Sequence, residues 1–133
     1  MTNRTVARVM TKNVVTAEAS QLVKGILQVM ADKSVGSVII TEKSCPIGIL
    51  TERDILRKIL QEEKVLGLRA GDIMTQPLIS VTPATPVVDA LNLMKEKNIR
   101  RLPVVQEDKL EGIITIHTDL LYWILKEGSA ENG

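Results

Sequence analysis

The sequence predicts a mixed α/β (α+β) fold made of two β-α-β-β-α repeats, and three observations support this prediction. The 133-residue chain matches itself when it is shifted by 64 positions. Each copy alternates short apolar runs with longer segments of helical periodicity. The 43 Ile, Val and Leu residues can build an aliphatic core. Because about 60 residues form only a marginal core, we expect the copies to pack sheet to sheet with pseudo-two-fold symmetry.

The duplication also predicts the domain organisation. We expect a first repeat over residues 1–64, a second over residues 65–127 and a flexible tail over residues 128–133, with residues 61–72 connecting the copies. The second copy has one extra residue near its end, so Asp119 rather than residue 118 matches Asp54. Pairs that match before this defect are Met10 and Met74, Thr11 and Thr75, Val23 and Val87, Met30 and Met94, and Gly48 and Gly112.

Each copy contains the same series of predicted elements. An extended piece, VVT or LISV, precedes an amphipathic helix. Two apolar strands around a polar turn then form a β-hairpin, and a second amphipathic helix closes the copy. The helical stripes expected to be buried are Leu22, Val23, Ile26, Leu27 and Met30, then Ile55, Leu56, Ile59 and Leu60, with Val87, Val88, Leu91 and Met94, then Leu120, Leu121, Ile124 and Leu125, as counterparts.

Composition and charge disfavour several classes of function. Lys and Arg exceed Asp and Glu by 17 to 16 and are scattered, so nucleic-acid binding is not expected. The single Cys45 cannot form an intramolecular disulfide, and no apolar run is long enough for a membrane span, which together predict a soluble cytoplasmic protein. One histidine, His117, and no Cys/His cluster predict no metal site. The chain lacks a phosphate-binding glycine loop and a convincing nucleophile with its base, so no enzymatic activity is expected.

Several motifs together resemble one known family. VMT and IMT open the two copies, IRRLPVV enters the second hairpin, and GILTERDIL and GIITIHTDLL close the copies. Over residues 5–126 this arrangement resembles the tandem cystathionine-β-synthase-type (CBS) domain pair, or Bateman module. The resemblance implies a regulatory module that binds AMP-, ADP- or ATP-like ligands in clefts between its repeats, forms a homodimer and signals to a regulated protein not yet identified. No cofactor is required.

The resemblance implies a ligand site at Thr51 and Asp54 in the first copy. An ionised Asp54 can accept hydrogen bonds from both hydroxyls of a ribose, while the helix N-terminus and the Thr51 hydroxyl suit a phosphate. The same Thr-x-x-Asp pattern fits a helix capping box, so capping and ligand contact both remain open, and Thr51 can do both. The apolar slots for adenine would be lined by Val14, Val15, Leu78 and Ile79.

The second copy departs from this pattern. Thr115 matches Thr51, but Thr118 occupies the expected ribose position and Asp119 follows it. A one-residue shift rotates a side chain by about 100° around a helix. Either the turn bulges and restores Asp119, or this cleft binds ribose poorly. Arg100 and Arg101 match positions that approach ligand phosphates in the family, although strand alternation would direct only one of them into the cleft, and both could instead be solvated surface residues.

Two further interpretations remain open at the level of sequence. The main alternative to ligand binding is a structural oligomerisation module with degenerate clefts that bind nothing. Tyr122 and Trp123, the only aromatic residues, lie off the apolar stripe of the second closing helix. Aromatic residues are favoured in interfaces, so this pair predicts the contact of a homodimer, unless the rings cover the N-terminal segment of their own chain.

Overall fold

The computed structural model describes residues 4–62 and 64–116, which form two compact units. The first unit comprises residues 13–79 with 108–110, and the second contains the described residues 4–12, 80–107 and 111–116. Each unit therefore combines most of one repeat with the opening segment of the other repeat. The predicted boundary between residues 64 and 65 describes the duplication, and it stays a prediction because compact units need not follow sequence repeats.

The first unit has the element order predicted from the sequence. Its strands are β1 (Thr16–Glu18), β2 (Ser37–Glu42) and β3 (Cys45–Thr51), and its main helices are α1 (Val23–Lys33) and α2 (Glu52–Gln61). A short 3-10 turn, Val65–Gly67, and helix α3, Ala70–Ile73, follow. The sheet order is β1-β2-β3, with β1 parallel to β2 and β2 antiparallel to β3. The first copy thus confirms the β-α-β-β-α arrangement.

The second unit repeats this plan with a smaller sheet. It contains a 3-10 turn at Val6–Arg8, helix α4 (Val87–Lys97), strand β4 (Arg101–Gln106) and most of strand β5 (Lys109–Thr115), which forms a hairpin with β4. The predicted closing helix and tail fall on residues 117–133 and lie outside the described residues. Among the described residues, β4 forms a two-stranded sheet with β5, and no third strand equivalent to β1 is present in that part of the second unit.

One residue explains the missing strand. In the first unit the Ile39 N–H donates to the Val15 carbonyl at 3.0 Å, next to the β1 and β2 pairing. The repeat-equivalent residue of Ile39 is Pro103, which has no N–H to donate. Pairing here is reduced to a single bridge between Val81 and Val104. The extended piece predicted at VVT is also displaced along the sequence, because Val15 lies just before β1.

The backbone turns preserve the duplication closely. Ser34 and Asn98, which are 64 positions apart, end α1 and α4 in the left-handed conformation with φ of 54° and 55°. The two hairpins also turn through matching pairs with positive φ, which are Lys43 with Ser44 and Glu107 with Asp108. Two consecutive left-handed residues are typical of tight hairpin turns that match strand twist. The two copies therefore match in backbone conformation as well as in sequence.

The core of the first unit contains the inner face of α1 and the hairpin. Ile55 is the residue of α2 that joins this core, and it is 1% exposed. The expectation that Leu56, Ile59 and Leu60 are buried with it is wrong, because they are 61%, 40% and 88% exposed. Helical periodicity identifies an apolar face but not its neighbours, and this face extends beyond the contact with the sheet. Other core residues are Ala17, Val23, Ile26, Met30, Val38, Ile40, Leu50 and Ala70.

Gly48 permits a close approach between the hairpin and the segment that opens the second repeat. Ile49 and Thr75 form an antiparallel bridge, with N–H to O distances of 3.1 and 2.8 Å in the two directions. A Cβ atom on Gly48 would lie 2.7 Å from Met74 Sδ and 2.9 Å from the Thr75 carbonyl oxygen. Since the bridge holds that carbonyl, a side chain at residue 48 would displace paired backbone.

Replacing Gly48 by alanine should therefore destabilise the protein. We expect Gly48→Ala to lower the free energy of unfolding by about 1–3 kcal/mol, the usual cost of overpacking. The control is Gly25→Ala, because Gly25 is exposed on α1 with no atom within 4 Å of an added Cβ, and alanine there should stabilise by up to about 1 kcal/mol. Urea denaturation measures both changes. Equal unfolding midpoints for Gly48→Ala and the parent would contradict the packing argument.

Candidate functional site

The N-terminus of α2 brings Thr51 and Asp54 together as a capping box. The Asp54 N–H donates to Thr51 Oγ1 at 3.1 Å, and the Thr51 N–H donates to Asp54 Oδ2 at 3.0 Å. The structure thus confirms the capping interpretation of this motif. Both residues are half-buried, so the carboxylate keeps access to solvent. Capping therefore does not prevent ligand contact, which stays a prediction.

The capping bonds restrict what the helix N-terminus offers to an anion. The N–H of Glu52 donates to the Gly36 carbonyl at 3.0 Å, in addition to the bonds made by Thr51 and Asp54. The backbone N–H groups at the N-terminus of a helix are the donors that normally bind phosphate. Three of these donors already have protein acceptors, so fewer N–H groups are left for a phosphate.

Thr75 is a third member of this site that the sequence interpretation missed. Its Oγ1 donates to Asp54 Oδ2 at 3.4 Å across 21 residues of sequence. Thr75 belongs to the IMT motif that opens the second repeat, and its backbone pairing with Ile49 places it beside the start of α2. The motif was recognised as a mark of the repeat, but no local pattern indicates its contact with Asp54.

The residues predicted to line adenine slots all lie in the first unit, near the two ends of its 13–79 range. Val14 and Val15 precede β1, and Val15 packs against the hydrophobic core. Leu78 and Ile79 are half-buried and belong to no strand, which corrects their predicted strand assignment. All four belong to the same unit as Asp54. Their role in binding adenine stays a prediction.

The predicted residues of the second site belong to the second unit. Arg100 is exposed and its carbonyl accepts a bond from the Ile116 N–H at 2.9 Å, as the Gly36 carbonyl does from Glu52 in the first unit. Arg101 begins β4 and Thr115 ends β5, and both are half-buried. Asp119 lies outside the described residues. The prediction that one arginine contacts ligand phosphate remains untested.

A cavity of about 310 Å³ opens between the end of α1 and the start of α2 in the first unit. It is predominantly apolar, and Ser34 and Glu52 supply its polar side chains. The remaining lining residues are Leu27, Met30, Ala31, Val35 and Gly36. Thr51 and Asp54 are not among its lining residues, whereas Glu52, which lies between them in sequence, is.

Two features are absent from the part of the chain that the structure describes. Residues 4–62 and 64–116 contain no group of three or more His, Cys, Asp or Glu side chains placed to hold a metal ion. Within the same ranges, no helix has the length and apolar character needed to cross a membrane. Neither observation concerns residues 117–133, which include His117.

The fold and the internal duplication define a module of paired CBS domains. The family model described as the CBS domain matches residues 6–61 and 70–118, so this chain belongs to the CBS-domain family and contains two copies of the domain. Proteins of this family are typically regulatory and non-catalytic. The protein MK0525 of Methanopyrus kandleri, which is uncharacterised, is 40% identical over 119 residues, or 87% of this chain. This chain spans 61% of the length of that relative.

Solved structures with the same fold include one ligand complex and one assembly. A protein with CBS domains from Burkholderia ambifaria is 31% identical, with a TM-score of 0.81 over 92% of this chain and 94% of its own. CBSX2 in complex with AMP is 28% identical, with a TM-score of 0.80 over 95% and 99%. The hexameric CBS-CP12 protein of bloom-forming cyanobacteria is 32% identical, with a TM-score of 0.79 over 89% and 66%.

Removing the Thr51 hydroxyl should cost the stability that the cap supplies. We expect Thr51→Ala to lower the free energy of unfolding by about 0.5–2 kcal/mol, because the Asp54 N–H loses its acceptor. Thr51→Ser keeps the hydroxyl and should stay close to the parent. Chemical denaturation compares the three proteins. A loss as large in the serine variant as in the alanine variant would mean that the methyl group, rather than the cap, matters.

Proposed function

We propose that this protein is a regulatory module that binds an adenosine-containing ligand such as AMP at the Thr51–Asp54 site and signals its presence to a partner protein. The observation that carries the proposal is the position of Asp54, a half-buried carboxylate in the first turn of α2 within a duplicated CBS motif. The AMP complex of CBSX2, a structural neighbour, supports the choice of ligand class.

The chemistry of Asp54 fits the ribose part of such a ligand. An ionised carboxylate only accepts hydrogen bonds, and a ribose diol offers two donors. Both bonds that Asp54 accepts within the described residues end on Oδ2, so Oδ1 faces no protein donor there. The half-buried Val14 and Val15 of the same unit supply apolar surface suited to adenine. Recognition at this site then depends more on the nucleoside than on its phosphates.

Substitution of Asp54 separates ligand binding from capping. Asp54→Ala should weaken AMP binding roughly 10- to 150-fold, which corresponds to about 1.5–3 kcal/mol for hydrogen bonds to a charged group. Asp54→Asn is the matched control for stability, because its amide oxygen can still accept the Thr51 N–H while the negative charge is lost. Its affinity should fall with a smaller loss of stability than in the alanine variant.

Isothermal titration calorimetry with AMP, paired with thermal unfolding, measures both effects. Affinity that stays unchanged in Asp54→Ala while stability falls would assign Asp54 to capping alone. A parent protein that binds no adenosine ligand would reject the proposed ligand class and favour the second function below.

A second candidate function is assembly, and the exposed face of α2 favours it. Leu56, Ile59 and Leu60 recur at helical spacing and are all well exposed, which is unusual for three large apolar residues on one helix. We propose that a second copy of this chain covers this face. In a two-fold dimer the same face of both copies meets, so an apolar stripe is complementary to itself. The hexameric CBS-CP12 structural neighbour supports assembly as a property of similar modules.

A charge on this face should separate the copies without unfolding them. Leu60→Glu should shift a dimer towards monomer, because it would bring two carboxylates into an apolar contact, and Leu60 is too exposed to contribute to the core. Gln61→Glu adds the same charge at the neighbouring exposed position and should leave the dimer intact. Sedimentation velocity distinguishes the outcomes. A monomeric parent, or a dimer that persists in Leu60→Glu, would exclude this face as the contact.

A further inference from the structure

The backbone of Thr75 is held in place independently of its side chain. Its N–H donates to the Ile49 carbonyl at 2.8 Å, and its carbonyl accepts the Ile49 N–H at 3.1 Å. Gly48 allows this segment to approach closely, since an added Cβ would lie 2.9 Å from the Thr75 carbonyl oxygen. The hydroxyl of Thr75 can therefore be removed without removing the bonds that locate residue 75.

The hydroxyl of Thr75 acts on one oxygen of the Asp54 carboxylate. Oδ2 accepts the Thr51 N–H at 3.0 Å and the Thr75 hydroxyl at 3.4 Å. A carboxylate that receives two donors on one oxygen has a restricted side-chain torsion, which fixes the direction of the other oxygen. At 3.4 Å the bond to Thr75 is longer than the usual range, so a moderate contribution is expected.

We propose that Thr75 is a positioning residue for ribose recognition by Asp54. By holding Oδ2, it directs Oδ1 towards the 2′ and 3′ hydroxyls of a ribonucleoside, so the site selects ligands with an intact ribose diol. The inference rests on the proposed function, and it adds a residue from the second repeat to a site built on the first repeat's motif. The opening segment of the second repeat thereby becomes part of the ligand site.

A purely structural role for Thr75 makes a different prediction. If its hydroxyl only supported the fold, its removal would lower stability and would weaken every ligand equally. If it positions Asp54, its removal should weaken the binding of only those ligands whose ribose hydroxyls donate hydrogen bonds to Asp54. Comparing AMP with 2′,3′-dideoxyadenosine monophosphate makes this distinction, because the two ligands share adenine and phosphate.

The test is a cycle of two ligands against three proteins. Thr75→Val keeps the shape and the β-branched backbone preference but removes the hydroxyl, and Thr75→Ser restores a hydroxyl. By calorimetry we expect Thr75→Val to weaken AMP about three- to tenfold, the range for loss of one hydrogen bond, with no change for the dideoxy ligand. Thr75→Ser should recover affinity for AMP.

The outcomes separate this inference from the proposed function. Equal AMP affinity in Thr75→Val and the parent, or equal losses for both ligands, would overturn the positioning role while Asp54→Ala still weakened AMP. A parent protein that binds AMP and the dideoxy ligand equally would show that Asp54 does not receive the diol, and would overturn both. Thermal unfolding of Thr75→Val should match the parent, since the backbone bridge to Ile49 remains.

Discussion

The backbone bridge between Ile49 and Thr75 is the constraint on which the first unit and its site depend. It pairs the hairpin of the first repeat with the opening segment of the second, and Gly48 provides the space for that pairing. The equivalent bridge joins Thr11 and Ile113 in the second unit, where both N–H to O distances are 2.9 Å. An added Cβ on Gly112 would likewise lie 2.8 Å from Met10 Sδ. Each opening segment thus stabilises the hairpin of the other repeat.

Under the proposed function, this exchange of segments would connect a ligand at Asp54 to the opening segment of the second repeat. Asp54 caps α2 through Thr51 and contacts Thr75 in the opening segment of the second repeat. A ligand that binds Asp54 would favour the arrangement in which all three residues are aligned. By linkage, anything that favours the same arrangement would strengthen ligand binding. Local capping and regulation would then use the same carboxylate, and a substitution at Asp54 would affect both.

Much of the fold was predictable from the sequence because the duplication constrains both copies. The 64-residue spacing persists in the positive φ of Ser34 and Asn98 and in the two hairpin turns. The element order of the first copy followed from apolar periodicity together with the polar turn between the two hairpin strands. The missing strand of the second unit was not predicted, although Pro103 is visible in the sequence. Only the structure shows that Ile39, the equivalent of Pro103, uses its N–H to pair with Val15.

The site was predictable only in part, for physical reasons that differ between residues. The Thr51–Asp54 pair is a local pattern, so its capping geometry followed from spacing of three residues. Thr75 reaches Asp54 through tertiary structure, and no local pattern indicates such a contact. Leu56 and Leu60 were predicted to be buried but are exposed. Periodicity gives the direction of an apolar face and not the extent of the surface that covers it.

The most direct test of ligand recognition by Asp54 and Thr75 is an NMR titration of the isotope-labelled protein with AMP. Backbone amide resonances of residues 51–55 and of Thr75 should shift together with a single dissociation constant, and 2′,3′-dideoxyadenosine monophosphate should produce smaller shifts at the same residues. The assignment of the ligand site would be contradicted if AMP shifted resonances elsewhere in the protein while those of residues 51–55 and Thr75 stayed unchanged.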